Sequence, residues 1–318
     1  MLTIEMIRQA KNRIAPYIYE TPLLAIPALD DQLGCKVYVK CENMQKTNAF
    51  KLRGAMNKLL TLSKEDLDKG VITASSGNHG KATAFAAKSM GVKATVVVPN
   101  TIPKIKVDGI LSYGAEVIYA VPSERIALAE GIRDEKGLTF VPPYDDYHVM
   151  AGQGTIGLEI MEELADVDVV VVPIGGGGLI SGISTAIKEV NPNIRVIGVE
   201  PTNVSRYTQS IKAGKRLTLA PESTTVADGT GTLCPGEKNF PIIQKNVDQI
   251  ITVDEEYILK GTNLLLNAGK ILAEITSGMV IGGVLQGKLK FKPDEKVVFL
   301  LSGGNIGMEQ FEKFKDVL

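Results

Sequence analysis

Lys51 stands in the run Thr47-Asn48-Ala49-Phe50-Lys51-Leu52-Arg53-Gly54-Ala55, and Leu52, Met56, Leu59 and Leu60 follow it at helical spacing. An amine at a helix start feels the positive end of the dipole, which disfavours its protonated form and leaves the lone pair free to attack a carbonyl carbon. Taken alone it is one of 35 basic side chains, most of which must be solvated. Its meaning depends on three loops downstream.

Gly175-Gly176-Gly177-Gly178-Leu179 follows the apolar run Val169 to Ile174 and precedes a helical stretch from about Leu179 to Val190. Such a loop offers main-chain N–H groups at a helix start and no side chains to obstruct an anion, which suits a phosphate. A tight turn alone needs only one or two glycines. Ser75-Ser76-Gly77-Asn78-His79-Gly80 is a second anion-suited loop, carrying hydroxyls, an amide and exposed donors at another helix start. It would accept a carboxylate, although Ser75 or Ser76 could equally serve only as a helix cap. His79 is one of two histidines and is given no proton-transfer role; His148 reads as surface or loop. A third strand end, Val297 to Leu301, runs into Ser302-Gly303-Gly304-Asn305 and presents a neutral hydroxyl. A dinucleotide fingerprint fails, because Ser181 stands where the third glycine after Gly176 and Gly178 belongs, and no phosphate-loop lysine motif occurs. Glu200, at a strand end, then reads as half of a local ion pair. A nucleotide-binding α/β module is the non-enzymatic alternative.

Two segments share the plan of strand, loop, helix and strand. The first runs through Val71 to Ala74, an alanine-rich helix including Ala82, Ala84, Ala86 and Ala87, and Ala94 to Val98; the second ends with Val196 to Val199. Their continuous apolar strands suit parallel sheets covered on both faces, where ligands bind beyond the carboxyl ends. Lys36 to Glu42 alternates and reads as a strand near a sheet edge, with Cys41 buried. The expected fold is α/β, with two doubly wound domains and mostly parallel sheets: residues 1–65 and 147–318 form a large domain, and 66–146 a small mobile one, with the site between them.

A chain of 318 residues, 44% hydrophobic, can bury two such cores. Net charge −1 with interspersed signs provides no basic stripe for nucleic acid, so a small-molecule partner is expected. Three cysteines without a CxxC pair suit reduced thiols. The first fourteen residues read as an amphipathic helix rather than a signal peptide, and Pro173 and the glycines interrupt the longest uncharged stretch. These features imply a cytoplasmic protein with no membrane span.

Together, Phe50-Lys51, the SSGNHG loop, the GGGGL loop and the terminal SGGN resemble the fold-type II pyridoxal phosphate enzymes, nearest the serine/threonine dehydratase and serine racemase branch. The resemblance runs from Glu20-Thr21-Pro22-Leu23 to Asn305. Pro142-Pro143-Tyr144-Asp145-Asp146 and Ala151-Gly152-Gln153-Gly154-Thr155-Ile156-Gly157 look like the short catabolic threonine dehydratases, which lack a regulatory domain. The resemblance implies pyridoxal 5'-phosphate as cofactor, bound covalently by Lys51, which then takes the Cα proton. Phe50 would pack beside the ring, Asn78 would meet the 3-hydroxyl, and Gly175 to Leu179 would hold the phosphate. Ser302 would face the ring nitrogen; a hydroxyl there gives a weaker electron sink than a carboxylate and suits prompt loss of a β-leaving group. Ser75, Ser76, Gly77, Asn78 and His79 would bind the substrate carboxylate. The implied activity is an L-threonine/L-serine ammonia-lyase giving a 2-oxo acid and ammonia, and homo-oligomers, dimer or tetramer, are usual in such families.

Three departures qualify the transfer. Ser76 stands where many threonine dehydratases have alanine and racemases have an opposite-face acid/base, so serine racemase with eliminase activity is an alternative. Arg206 stands six residues after Glu200, where a racemase-like metal site has aspartate; a guanidinium paired with Glu200 would replace the cation, and no metal is expected. Asn48-Ala49 replaces the usual Gly-Ser, which leaves the β-hydroxy amino acid open and admits a 3-hydroxyaspartate dehydratase.

Overall fold

Valine runs set the architecture. In the computed structural model, which describes residues 1–75 and 77–317, ten strands form two sheets. They are β1 (Leu23–Ala25), β2 (Lys36–Cys41), β3 (Val71–Ala74), β4 (Ala94–Pro99), β5 (Glu116–Ala120), β6 (Thr139–Phe140), β7 (Val169–Pro173), β8 (Arg195–Pro201), β9 (Gln249–Val253) and β10 (Lys296–Leu301). The larger sheet has the order β1-β2-β10-β7-β8-β9 and the smaller β5-β4-β3-β6. Every pairing is parallel except β1 with β2.

Burial on both faces explains the unbroken apolar strands. Val169, Val171, Val297 and Phe299 point into one core with Met279 and Ile281 of the Ile275–Leu285 helix. Their neighbours Val170, Val172, Val298 and Leu300 point into another with Ile180, Ile183 and Ile187 of the Gly178–Val190 helix. The smaller sheet does the same with Val71, Val96 and Val98 on one side and Ile72 and Val97 on the other.

The Lys51–Leu60 helix lies between the layers. It buries Leu52, Ala55, Met56 and Leu59 in the core of the smaller sheet together with Val71 and the alanines of the Asn78–Met90 helix. Its other side meets the Tyr147–Glu163 helix so closely that a Cβ on Gly152 would lie 2.4 Å from Arg53 O. The Ile4–Ile14 helix, capped by Thr3, packs Ile7 and Ala10 against Met150 and Ala151 of that same helix.

β2 departs from simple alternation. Lys40 is fully buried, bonded to Thr21 O and paired with Glu159 at 2.9 Å and Glu163 at 2.6 Å. Arg53 joins this network through Glu42 at 2.8 Å and through Glu159, and those carboxylates hold its pKa above the usual value despite burial. Lys40 of β2 thus faces the Tyr147–Glu163 helix, whereas Lys36 at the start of the strand stays exposed. Cys35 and Cys41 are buried free thiols, pushed up to about 12, chiefly by desolvation. His148 falls in the first turn of the Tyr147–Glu163 helix, half-buried, rather than in a loop. No helix among the described residues is long and apolar enough to cross a membrane.

Candidate active site

β3, β7 and β10 end at the Ser75, Gly175 and Ser302 loops, so the carboxyl ends of strands from both sheets open onto one cleft of about 750 Å³. Phe50, Lys51, Ser75, Gly77, Asn78, His79, Gly175, Gly176, Gly177, Gly178, Leu179 and Ser302 all line it. Ser76 lies outside the described residues.

Main-chain bonds couple the lysine segment to the last strand. Phe50 N–H donates to Ser302 O at 3.1 Å, Gly304 N–H to Asn48 O at 2.8 Å, and Ala49 forms an isolated bridge with Gly303. Asn305 ties in the substrate-side loop, donating to Thr47 O at 3.0 Å and to Asn78 Oδ1 at 2.8 Å. Lys51 Nζ, 5.0 Å from the Phe50 ring centre, donates to Pro143 O at 2.6 Å. Burial lowers its pKa from 10.5 to about 8, against an opposing pull from Glu274.

The glycine loop has the geometry of an anion site. The main-chain N–H groups of Gly175 to Leu179 meet no acceptor among the described residues. Gly177 has φ +102°, and a Cβ there would lie 2.1 Å from the Tyr207 hydroxyl; a Cβ on Gly176 would strike the Tyr144 ring at 2.4 Å. Turn geometry and close approach thus both demand glycine.

On the facing loop, Ser75 N–H extends β3 by bonding Val97 O at 3.1 Å, and Gly77 N–H reaches Ser75 Oγ at 3.4 Å. No side chain among the described residues caps the start of the Asn78–Met90 helix. The His79 imidazole is buried and bonded through Nε2 to Val141 O at 3.0 Å. Burial and then Lys51 lower its pKa to about 3, so it stays neutral and contributes position rather than charge.

Glu274 was not anticipated. Only 5% exposed, it accepts from Asn78 Nδ2 at 2.9 Å and from Ser302 Oγ at 3.1 Å, joining two candidate cofactor residues. Burial, with Asp228 second, raises its pKa to about 7. One signal was available: a lone carboxylate immediately before Ile275–Leu285, a helix with no charged residue.

Glu200 does not face the cleft as a ribose-binding acid would. Its oxygens accept from the N–H groups of Tyr207 and Thr208, both at 2.9 Å, and Arg206 approaches to 3.7 Å.

This arrangement matches a known architecture. The family model described as "Pyridoxal-phosphate dependent enzyme" matches residues 14–303. The chain belongs to that family. It is 41% identical to the L-threonine ammonia-lyase of Thermotoga maritima over 98% of this chain and 78% of that one. Among solved structures, maize serine racemase matches with TM-score 0.93 and 34% identity, covering 98% of this chain and 96% of the other. A pyridoxal 5'-phosphate-dependent aspartate racemase matches with TM-score 0.91 and 36% identity, covering 97% of each chain. The fold is that of the fold-type II enzymes, and the cofactor is pyridoxal phosphate. The cleft fits this group: it holds an amine of lowered pKa, a bank of acceptor-free amides for the phosphate, and a buried neutral hydroxyl.

Proposed function

We propose that the protein is an L-threonine/L-serine ammonia-lyase. The observation that carries this reading is the shared cleft of Lys51, the acceptor-free amides of Gly175 to Leu179, and the carboxylate-suited loop from Ser75 to His79. When bound, pyridoxal phosphate supplies an electron sink conjugated to the substrate Cα. Lys51 would be the attachment point for the cofactor and, when free, the base for the Cα proton. A pKa near 8 suits both tasks. Gly175 to Leu179 hold the phosphate, Phe50 packs beside the ring, and Asn78 meets the 3-hydroxyl. Ser302, whose hydroxyl donates to Glu274 at 3.1 Å, would face the ring nitrogen. The amides from Gly77 to His79, with Ser75 and Ser76, fix the substrate carboxylate. Loss of the Cα proton and β-hydroxide, then hydrolysis of the enamine, yields a 2-oxo acid and ammonia. The segment 66–146 acts as a small mobile domain whose closure excludes water.

Incubation with L-threonine and L-serine, followed by 2-oxo acid measurement, tests the assignment; no product from either overturns it. Chiral analysis of residual serine separates lyase from racemase. Ser76→Ala should abolish D-serine while sparing 2-oxo acid, and equal loss of both would refute that division of roles.

One observation favours a second reading, a 3-hydroxyaspartate dehydratase. Lys106 pairs with Asp228 at 2.8 Å and Arg216 with Glu237 at 3.7 Å, whereas Arg125, also lining the cleft, has no ion pair among the described residues. Its Nε is buried without a partner. An unpaired guanidinium in the cleft suits a second substrate carboxylate, and a relative named for aspartate is among the similar structures. Under this reading kcat/KM is higher for 3-hydroxyaspartate than for threonine, and Arg125→Met reverses the order. A cytoplasmic homo-oligomer, dimer or tetramer, completes the proposal, with sedimentation as its test.

A further inference from the structure

We infer that Arg206 is the positioning residue that turns the glycine loop into a phosphate site. The inference rests on the phosphate assignment above. Arg206 is fully buried on the side of the loop away from the cleft. Its Nη1 donates to Ile174 O at 2.7 Å and Gly175 O at 2.9 Å, and its Nη2 to Val204 O and Thr230 O, both at 2.6 Å. The next residue continues the series: Tyr207 Oη donates to Gly176 O at 2.8 Å. Three consecutive loop carbonyls are therefore held by neighbouring side chains of one short helix.

Peptide planarity gives this its consequence. In a trans peptide the C=O of one residue opposes the N–H of the next, and no cis bond occurs among the described residues. Fixing the carbonyls of Ile174, Gly175 and Gly176 turns the N–H groups of Gly175, Gly176 and Gly177 the opposite way, toward the cleft, where they meet no protein acceptor. Four glycines in a row are flexible enough to lose this orientation. A planar guanidinium can bridge several carbonyls at once, whereas a lysine ammonium is a single point charge. Through Thr230 O the same side chain also fixes the adjoining stretch of wall, since Thr230 packs beside Gly175 and lines the cleft. Glu200 completes the arrangement by capping the helix that presents Arg206 and Tyr207.

The test compares two ligands that differ only in the phosphate. Full-length protein freed of cofactor is titrated with pyridoxal 5'-phosphate and with pyridoxal, reading the visible absorbance band. Arg206→Met should raise the Kd for pyridoxal phosphate at least tenfold and leave that for pyridoxal within about twofold. Arg206→Lys should fall between wild type and Arg206→Met. Equal weakening of both ligands, or no weakening, overturns the inference. If Arg206→Met does not fold, Arg206→Lys decides: a selective loss of phosphate-dependent affinity supports the inference, and an unchanged ligand ratio overturns it. Wild-type protein that gives no band with either ligand would instead refute the functional assignment itself.

Discussion

Lys51 and Glu274 both line the cleft, and burial moves them toward neutral pH in opposite directions. Desolvation penalises the charged form of each, lowering the lysine to about 8 and raising the carboxyl to about 7. For Lys51 the neutral fraction grows about tenfold per pH unit below 8 and saturates above it. The rate of cofactor attachment to the apoenzyme should therefore rise up to about pH 8 and level off; a rise continuing toward pH 10 would contradict this environment. For Glu274 the sign runs through stability. Between about pH 4.5 and 7 the folded apoenzyme holds a proton on Glu274 that the unfolded chain has lost, so the Glu274 contribution to stability falls as pH rises through that window and is flat above it. Buried His79, held neutral down to about pH 3, contributes the opposite slope up to about pH 6.5. The Glu274 contribution is roughly 3 kcal/mol, so Glu274→Gln should raise stability at pH 8 relative to pH 5 by about that much compared with wild type in denaturant titrations. An unchanged slope would show that another group carries the titration. Lys51 was legible because the three glycine- or serine-rich loops that give it meaning each stand out in the sequence, whereas Glu274 becomes significant only when distant Asn78 and Ser302 meet it.

At the scale of elements, the loops at the ends of β3, β7 and β10 could be read because an apolar strand buried on both faces announces itself and glycine or serine marks its end. The site follows from their convergence. Gly177→Ala tests the most demanding of these junctions. The left-handed φ and the nearby Tyr207 hydroxyl make any side chain costly, so a loss of more than about 1 kcal/mol is expected, with weaker cofactor binding. Unfolding midpoints equal to wild type would contradict the geometry. The buried network of Lys40, Glu42, Arg53 and Glu159 was illegible, since β2 shows only alternation and its partners come from two other elements. Removing Arg53 leaves Glu42 buried without its ion pair, while Glu159 keeps Lys40, so Arg53→Met should cost roughly 3–5 kcal/mol by chemical denaturation; a cost under about 1 kcal/mol would contradict the ion-pair geometry.

Over the whole molecule, two parallel sheets share one cleft, and the Lys51–Leu60 helix packs against the cores of both layers. Main-chain bonds from Phe50 to Ser302 O and from Gly304 to Asn48 O tie the lysine segment to the larger sheet, which also carries the glycine loop. Lys106–Asp228 at 2.8 Å joins the smaller layer to the cleft wall. That layered plan was readable from repeated strand, loop and helix units, while the helix shared by both layers was not, because its two faces bury against elements far apart in the sequence.

All of this converges on where the cofactor is attached. Borohydride reduction of the enzyme incubated with pyridoxal phosphate, followed by peptide mass mapping, should place one stable adduct on Lys51, with none in Lys51→Ala. An adduct on another lysine, or no adduct in wild type, would contradict the account.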